Sequence, residues 1–330
     1  MDTLERVPIA TPFSVGRVNC YLFTEEGLTV VDPGPATNES YEELRTALAR
    51  IDSRIADVDR VLITHPHMDH FGLAGRIVEE SGARVFAHED AAAQLSDPIG
   101  YFETEQRFFE PFLLSMGMPA DTVDTVLELP EPYTNYQDPV TVTDELAEGN
   151  VVDIGVDLEC ISTPGHAPGS ICYNAVAEDA MLTGDHVLPE ITPNPLLTLV
   201  PGTDDERTRS LPTYLESLRT VLAMDVSVGY GGHGDPMPDL QVPIRETISH
   251  HQDRKERIAG LVADDEPATA YELMKTMFPD LPATEMFPGM SEVIGHLDLL
   301  EDEDRVAIEE SDGVKRYVLE TTDDVPRSDE

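Results

Sequence analysis

The stretch Thr64-His65-Pro66-His67-Met68-Asp69-His70-Phe71-Gly72 constrains this chain more than any other. Three of the ten histidines fall within six positions, beside a carboxylate, so the cluster is costly either to solvate or to bury. It follows the apolar run Val61-Leu62-Ile63 and precedes an amphipathic stretch from Leu73 to Glu80. The cluster is therefore expected on the turn from a strand into a helix, at the carboxyl end of a strand, where open α/β sheets keep their sites. Neutral imidazoles with a carboxylate suit zinc or a similar divalent ion. Alternate residues of an extended turn project to one side, so His65 and His67 can share one metal. Asp69 and His70, where the chain starts to coil, can face a second. A polar loop that merely happens to be histidine-rich is the bland alternative, and the concentration of histidines here argues against it.

Short strand-like runs surround this stretch. Val18–Phe23 and Leu28–Val31 are read as strands joined by the turn Glu25-Glu26-Gly27, and the second ends in Asp32-Pro33-Gly34-Pro35. An acidic helix is predicted over Asn38–Arg50, from Tyr41, Leu44 and Leu48 at helical spacing. Val58–Ile63 then delivers the cluster, and Ser81-Gly82 closes the following helix before a strand at Arg84–Ala87. Residues 97–150 interrupt the rhythm. Aromatic and Met residues from Tyr101 to Met118 predict one or two helices with an apolar face, followed by the Pro-rich loop Pro130–Tyr136. Two readings stand for this insertion: a helical pair packed on the core, or a cap whose aromatic face lines a substrate pocket.

Three further strand tips carry a His or Asp among small residues. Leu158–Ser162 leads to Gly165-His166, Ala180–Thr183 to Gly184-Asp185-His186, and Val226–Val228 to Gly229-Tyr230-Gly231-Gly232-His233-Gly234. Two α/β halves, each giving ligands from strand ends, are expected face to face. From about residue 242 the texture turns helical (Ile244–Val262, Ala270–Phe278, Met290–Leu300), then two β-runs flank a turn at Glu309–Gly313. Domain limits of 1–241 and 242–330 follow.

Charge bounds the partners. Asp and Glu number 65 against 21 Lys and Arg, a net charge of −44 spread over the whole chain. Such a surface repels itself in dilute buffer but suits concentrated salt, where the Debye length falls to about 3 Å. The sequence predicts a halophilic protein of a high-salt cytoplasm. No basic footprint for nucleic acid or anionic membrane is evident, and no stretch is apolar and long enough to span a bilayer. Met1–Arg6 lacks an apolar signal segment. Cys20, Cys160 and Cys172 are odd in number, lack C-x-x-C spacing and sit in apolar runs, so they read as buried core thiols. From Arg245 onward 9 basic residues face 23 acidic ones, which favours packing or a homodimer contact over DNA reading.

His65-x-His67-x-Asp69-His70, with His166, Asp185 and His233 downstream and Asp32 upstream, resembles the five motifs of the metallo-β-lactamase superfamily, in order, from about Val7 to Asp239. The C-terminal part resembles the winged-helix-like appendage of its glyoxalase-II-like and lactamase-β-like endoribonuclease branches. The resemblance implies a four-layer αββα sandwich with a helical insertion, holding two zinc ions, with iron or manganese as alternatives. By motif position His65, His67 and His166 would bind the first metal, Asp69, His70 and His233 the second, and Asp185 would bridge them. Asp32 would hold a ligand histidine from behind, and Asp69 would in addition relay a proton. A bridging hydroxide would then attack a carbonyl or phosphoryl centre. His186 is expected behind the metals or in the pocket wall; His88, His250, His251 and His296 are expected at the surface or in packing.

The departures narrow the substrate. Asp185 stands where β-lactamases of this kind place a cysteine, which argues against antibiotic hydrolysis. The acidic C-terminal part lacks the basic and tyrosine cluster with which glyoxalase II holds glutathione. Gly232 precedes His233 where related chains often have Pro. The expected function is hydrolysis of a small acyl ester or thioester. The alternative is an endoribonuclease or phosphodiesterase acting on RNA, and a DNA-binding regulator without hydrolysis is a third reading, disfavoured by the intact ligand set.

Overall fold

The structure is a computed structural model, and it describes residues 4–129, 131–264 and 267–320. Met1–Thr3, Pro130 of the Pro-rich loop and the acidic end from Thr321 lie outside the described residues.

In chain order the first half comprises β1 (Glu5–Ile9), β2 (Val18–Phe23), β3 (Leu28–Val31), α1 (Asn38–Arg50), β4 (Val58–Leu62), α2 (Met68–Phe71), α3 (Ala74–Ser81), β5 (Arg84–His88), α4 (Ala92–Ser96), α5 (Pro98–Ser115), α6 (Ala120–Glu128) and β6 (Asp144–Leu146). The second half continues with β7 (Val151–Asp153), β8 (Asp157–Ser162), β9 (Ile171–Ala175), β10 (Ala180–Gly184), α7 (Ser210–Ala223) and β11 (Val228–Gly231). It ends with α8 (Gln241–Asp264), α9 (Ala270–Met277), α10 (Met286–Asp302), β12 (Val306–Ser311) and β13 (Val314–Leu319).

Strands β1 to β6 form one sheet in sequence order, antiparallel up to β3 and parallel from β3 onward. The second sheet runs β11-β10-β9-β8-β7. Because successive strand residues face opposite sides, each sheet feeds two cores. Val30 and Val61 point outward to Leu44, Leu48 and Ile77 of α1 and α3. Their neighbours Val31 and Leu62 point inward, to meet Leu158, Tyr173 and Leu182 of the facing sheet. On the far side Cys172 and Met181 pack against Leu211, Tyr214 and Leu218 of α7. Helix, sheet, sheet and helix thus stack as four layers. All three cysteines are buried and free.

Helix α1 begins and ends where its spacing predicts, because Thr37 caps it by accepting the Ser40 N–H. Three expectations shift. The stretch 97–150 is not wholly an insertion: α5 and α6 are, but Asp144–Leu146 pairs with β5 and extends the first sheet. The glycine-rich tip after Val228 is itself strand β11, at the sheet edge, where short residues pair with β10. The C-terminal ribbon runs through Glu309–Ser311, and only Asp312-Gly313, both at positive φ, form the turn.

Helices α5 and α6 share one core with the C-terminal elements. Phe109, Leu113, Met116 and Val126 are buried together with Ile258, Met274, Leu297 and Tyr317. Three helices and a β-ribbon therefore pack against the insertion, and Arg207 ties the unit to the sandwich through Asp298, with contacts of 2.6 and 2.8 Å.

Candidate metal centre

Seven side chains from both sheets meet at one edge of the sandwich. His65 and His67 lie on the turn after β4, Asp69 and His70 in the short α2, His166 between β8 and β9, Asp185 just after β10, and His233 just after β11. The two halves are clamped together there. Val18 bridges His233, Asn19 Nδ2 donates to the carbonyls of Gly231 and Gly234, and Tyr21 Oη donates to Gly231 O at 2.6 Å.

Ring nitrogens converge in the first group. His67 Nδ1 lies 3.1 Å from His65 Nε2 and 3.0 Å from His166 Nε2. In the second group His233 Nε2 is 3.3 Å from Asp69 Oδ2, and His70 Nε2 is 3.4 Å from Asp185 Oδ1. Asp185 spans the two: Oδ2 is 3.5 Å from His233 Nε2 and 3.9 Å from His166 Nε2.

Partners behind the rings fix which nitrogen faces inward. Thr64 Oγ1 donates to Asp32 Oδ2 at 2.7 Å and so accepts from His65 Nδ1 at 3.0 Å. His70 Nδ1–H donates to Asp32 Oδ2, His166 Nδ1–H to Asn194 O and His233 Nδ1–H to Arg17 O, each at 2.9 Å. With Nδ1 protonated, Nε2 of all four rings carries a lone pair aimed at the centre, the tautomer that metal sites fix in this way. The hydroxyl of Thr64 and the carbonyls of Arg17 and Asn194 are contributors that sequence reasoning missed. Backbone carbonyls leave no mark in composition or motif.

Electrostatics within the cluster are polarised. Burial, then the neighbouring imidazoles, holds His65 well below its ordinary value, and burial takes His67 down to about 3. His166 is lowered by burial. Burial also opposes charge on His70 and His233, but Asp185 and Asp69 outweigh it and raise both. Asp185 is pushed below the usual carboxylate range, against burial, by His70 and His233. His70 Nε2, His233 Nε2 and Asp185 Oδ1 are buried without a hydrogen-bond partner, a costly state for polar atoms. That donor set fits divalent cations, and the groups His65/His67/His166 and Asp69/His70/His233 each have their donor atoms within 4.8 Å.

Glycines make room for this crowding. A Cβ on Gly232 would stand 2.3 Å from Asp185 Oδ1 and 2.5 Å from His70 Cε1, so any side chain before His233 would have to displace these two groups.

The remaining histidines divide by environment. His186 is buried against Tyr214, ring centroids 5.4 Å apart, and burial lowers it to about 3. It stands behind the cluster rather than among the residues lining the cavity beside it. His88 bonds Ser162 Oγ at 3.1 Å. His251 and His296 are buried with Glu292 between α8 and α10, a further group with metal-compatible spacing, but Arg254 Nη1 already occupies Glu292 Oε1 at 2.6 Å. His250 is half-buried.

A cavity of about 300 Å³ opens on His67, Met68 and Asp69. Phe13, Tyr101, Phe102 and Phe287 line its apolar part. The insertion packs not on the sandwich core but against the C-terminal helices, and the first turns of α5 place Tyr101 and Phe102 in the cavity lining.

Residues 14–233 match the family model of the metallo-beta-lactamase superfamily, and the chain belongs to that superfamily, a family of metallo-hydrolases. The probable metallo-hydrolase YqjP of Bacillus subtilis is 32% identical over 301 residues, 91% of this chain and 92% of the relative. The metallo-beta-lactamase family protein TTHA1429 of Thermus thermophilus superposes with a TM-score of 0.79 at 29% identity, over 97% of this chain and 99% of that one. The thioesterase pkgB of Emericella nidulans is 34% identical over 109 residues, 33% of this chain and 28% of the relative.

Proposed function

We propose that this chain is a binuclear zinc hydrolase acting on a small-molecule acyl ester or thioester. The observation that carries it is the convergence of seven zinc-compatible side chains, three of whose inward atoms are buried without a hydrogen-bond partner. His65, His67 and His166 would hold one ion, Asp69, His70 and His233 the other, and Asp185 both. Two bound divalent ions supply Lewis acidity and make water acidic enough to ionise near neutral pH.

The protein's own groups do the rest. Asp32, through His70, and the carbonyls of Asn194 and Arg17, through His166 and His233, hold the rings at fixed tautomer and angle. Asp69 lines the cavity with its carboxylate, where it can take the proton released as water adds to the acyl carbon and hand it to the leaving group. Phe13, Tyr101 and Phe287 exclude water around the acyl group.

The partial likeness to pkgB supports a thioester. The acidic surface disfavours RNA, since a strand-binding groove needs positive charge. It also favours a high-salt cytoplasm as the setting. The test is a hydrolysis screen of zinc-loaded protein in molar salt across thioesters, lactones, phosphodiesters and single-stranded RNA. Thioester or ester cleavage is expected; RNA cleavage with inert acyl substrates would replace this reading with the phosphodiesterase one.

A further inference from the structure

A second cavity, of about 280 Å³, lies between α5, α6 and the loop that precedes α10. Away from the metal centre its lining is mainly apolar, with Phe109, Val126, Leu127, Leu129 and Ala283, and carries Gln106 and Thr284 as polar members. Four residues, Phe102, Glu105, Leu196 and Phe287, line both this cavity and the one beside the metal centre. The two spaces therefore adjoin across a wall of three apolar side chains and one carboxyl group.

That wall is tied directly to the centre. Asn194 takes the His166 Nδ1–H on its carbonyl and donates its amide to Pro288 O at 3.1 Å, beside Phe287. Leu196 follows two residues on, Leu197 N donates to Ser291 Oγ at 3.2 Å, and Leu199 N donates to Glu105 Oε1 at 3.3 Å. One loop thus runs from a candidate ligand histidine along the partition to the second cavity. Rotation of the Phe102 or Leu196 side chain would open the partition and admit the tail of an acyl group whose carbonyl carbon sits at Asp69. Of the polar side chains lining the second cavity, Gln106 already donates its amide to Leu127 O at 2.7 Å and Thr284 lies at the exposed rim, so the lining offers a sugar, nucleotide or peptide tail no charged partner beyond Glu105. A water is allotted about 30 Å³ and a methylene is of similar size, so the space suits a chain on the order of eight carbons. Burial raises the Glu105 carboxyl to about 7, against the pull of Leu199 N–H and Tyr101, so the one polar group in the partition is easily neutralised.

We infer that this second cavity is an acyl-chain site and that the substrate class is thioesters or esters of medium-length apolar acids. The inference deepens the hydrolase reading above and rests on it for the position of the carbonyl. The chain site itself can be tested separately.

The experiment pairs two readouts on the full chain in molar salt. First, kcat/KM of zinc-loaded protein is measured for acetyl, butyryl, octanoyl and dodecanoyl thioesters of one small thiol. Each methylene buried is worth up to about fourfold in affinity, so octanoyl should exceed acetyl by tenfold or more. Ala283→Trp, which fills the far cavity from its exposed rim, should bring the octanoyl-to-acetyl ratio towards one. Second, decanoate binding to metal-free protein is measured by calorimetry; Ala283→Trp should weaken it at least tenfold, and Leu127→Trp serves the same purpose if the first variant fails to fold by near-ultraviolet circular dichroism. Decanoate binding that both variants leave unchanged, or thioester hydrolysis that is flat with chain length, overturns the chain site. Decanoate binding that is lost in the variants while no thioester is cut upholds the chain site and overturns the hydrolase reading alone.

Discussion

Asp32 Oδ2 accepts the Nδ1–H of His70 at 2.9 Å, while its own backbone sits at φ 50° and its Oδ1 accepts the Thr64 N–H. A non-glycine residue in the left-handed region is uncommon, and Asp tolerates it better than most. The strain is offset here by three hydrogen bonds to one buried carboxylate.

Asp32→Asn separates that charge from that backbone, because Asn also tolerates left-handed φ but offers one acceptor oxygen in place of two. The variant should fold normally and bind metal about 10- to 100-fold more weakly. Competition with a chelator measures this; unchanged affinity would show that the carboxylate does not support the site.

Asp185→Asn and His67→Ala should abolish hydrolysis and lower the metal bound per chain, as read by elemental analysis after dialysis. Full activity in either variant would refute the assignment of these side chains as ligands.

Gly232→Ala places a methyl group 2.3 Å from Asp185 Oδ1. Overpacking of this kind costs about 1–3 kcal/mol, and the displacement should fall on Asp185 and His70. Stability to denaturant and metal retention should both decline, whereas Ala at a distant helical glycine with open space, Gly260, should leave both unchanged.

Glu105→Gln should change how stability depends on pH. Burial raises the carboxyl from 4.5 to about 7, so the folded state binds the proton more tightly than the unfolded one. The stabilisation is complete below about pH 4.5 and is lost as pH rises through about 7. Glutamine keeps an acceptor for Leu199 N–H without the ionisation. The variant should therefore gain roughly 1–3 kcal/mol over wild type on going from pH 4 to pH 8. Parallel pH profiles of the two proteins would refute it.

Thermal stability should rise between dilute buffer and molar salt, because a net charge of −44 is screened within about 3 Å at that concentration. A midpoint that is flat or falling with salt would dissociate the acidic composition from a high-salt setting.

The sequence by itself determined most of the elements and the residue types of the candidate centre. Helix α1 and strands β2 and β3 lie where local spacing places them, because hydrophobic period and the Thr37 cap act within a few residues. The histidines that meet at the centre were nameable because histidine is scarce and bunched here, and the aspartates because they stand beside those histidines or among glycines at strand tips. Tertiary structure alone decided the rest. Glycines after Val228 form a strand because a neighbouring strand is there to pair with them. Asn194 and Arg17 hold the rings of His166 and His233 through carbonyls that every residue possesses. The partition of Phe102, Glu105, Leu196 and Phe287 joins three segments distant in sequence. Local chemistry is written in side-chain identity, whereas a cavity is a property of what packs around it. The candidate metal-binding turn was therefore legible in nine consecutive residues, and the shape of the cavities beside it was not.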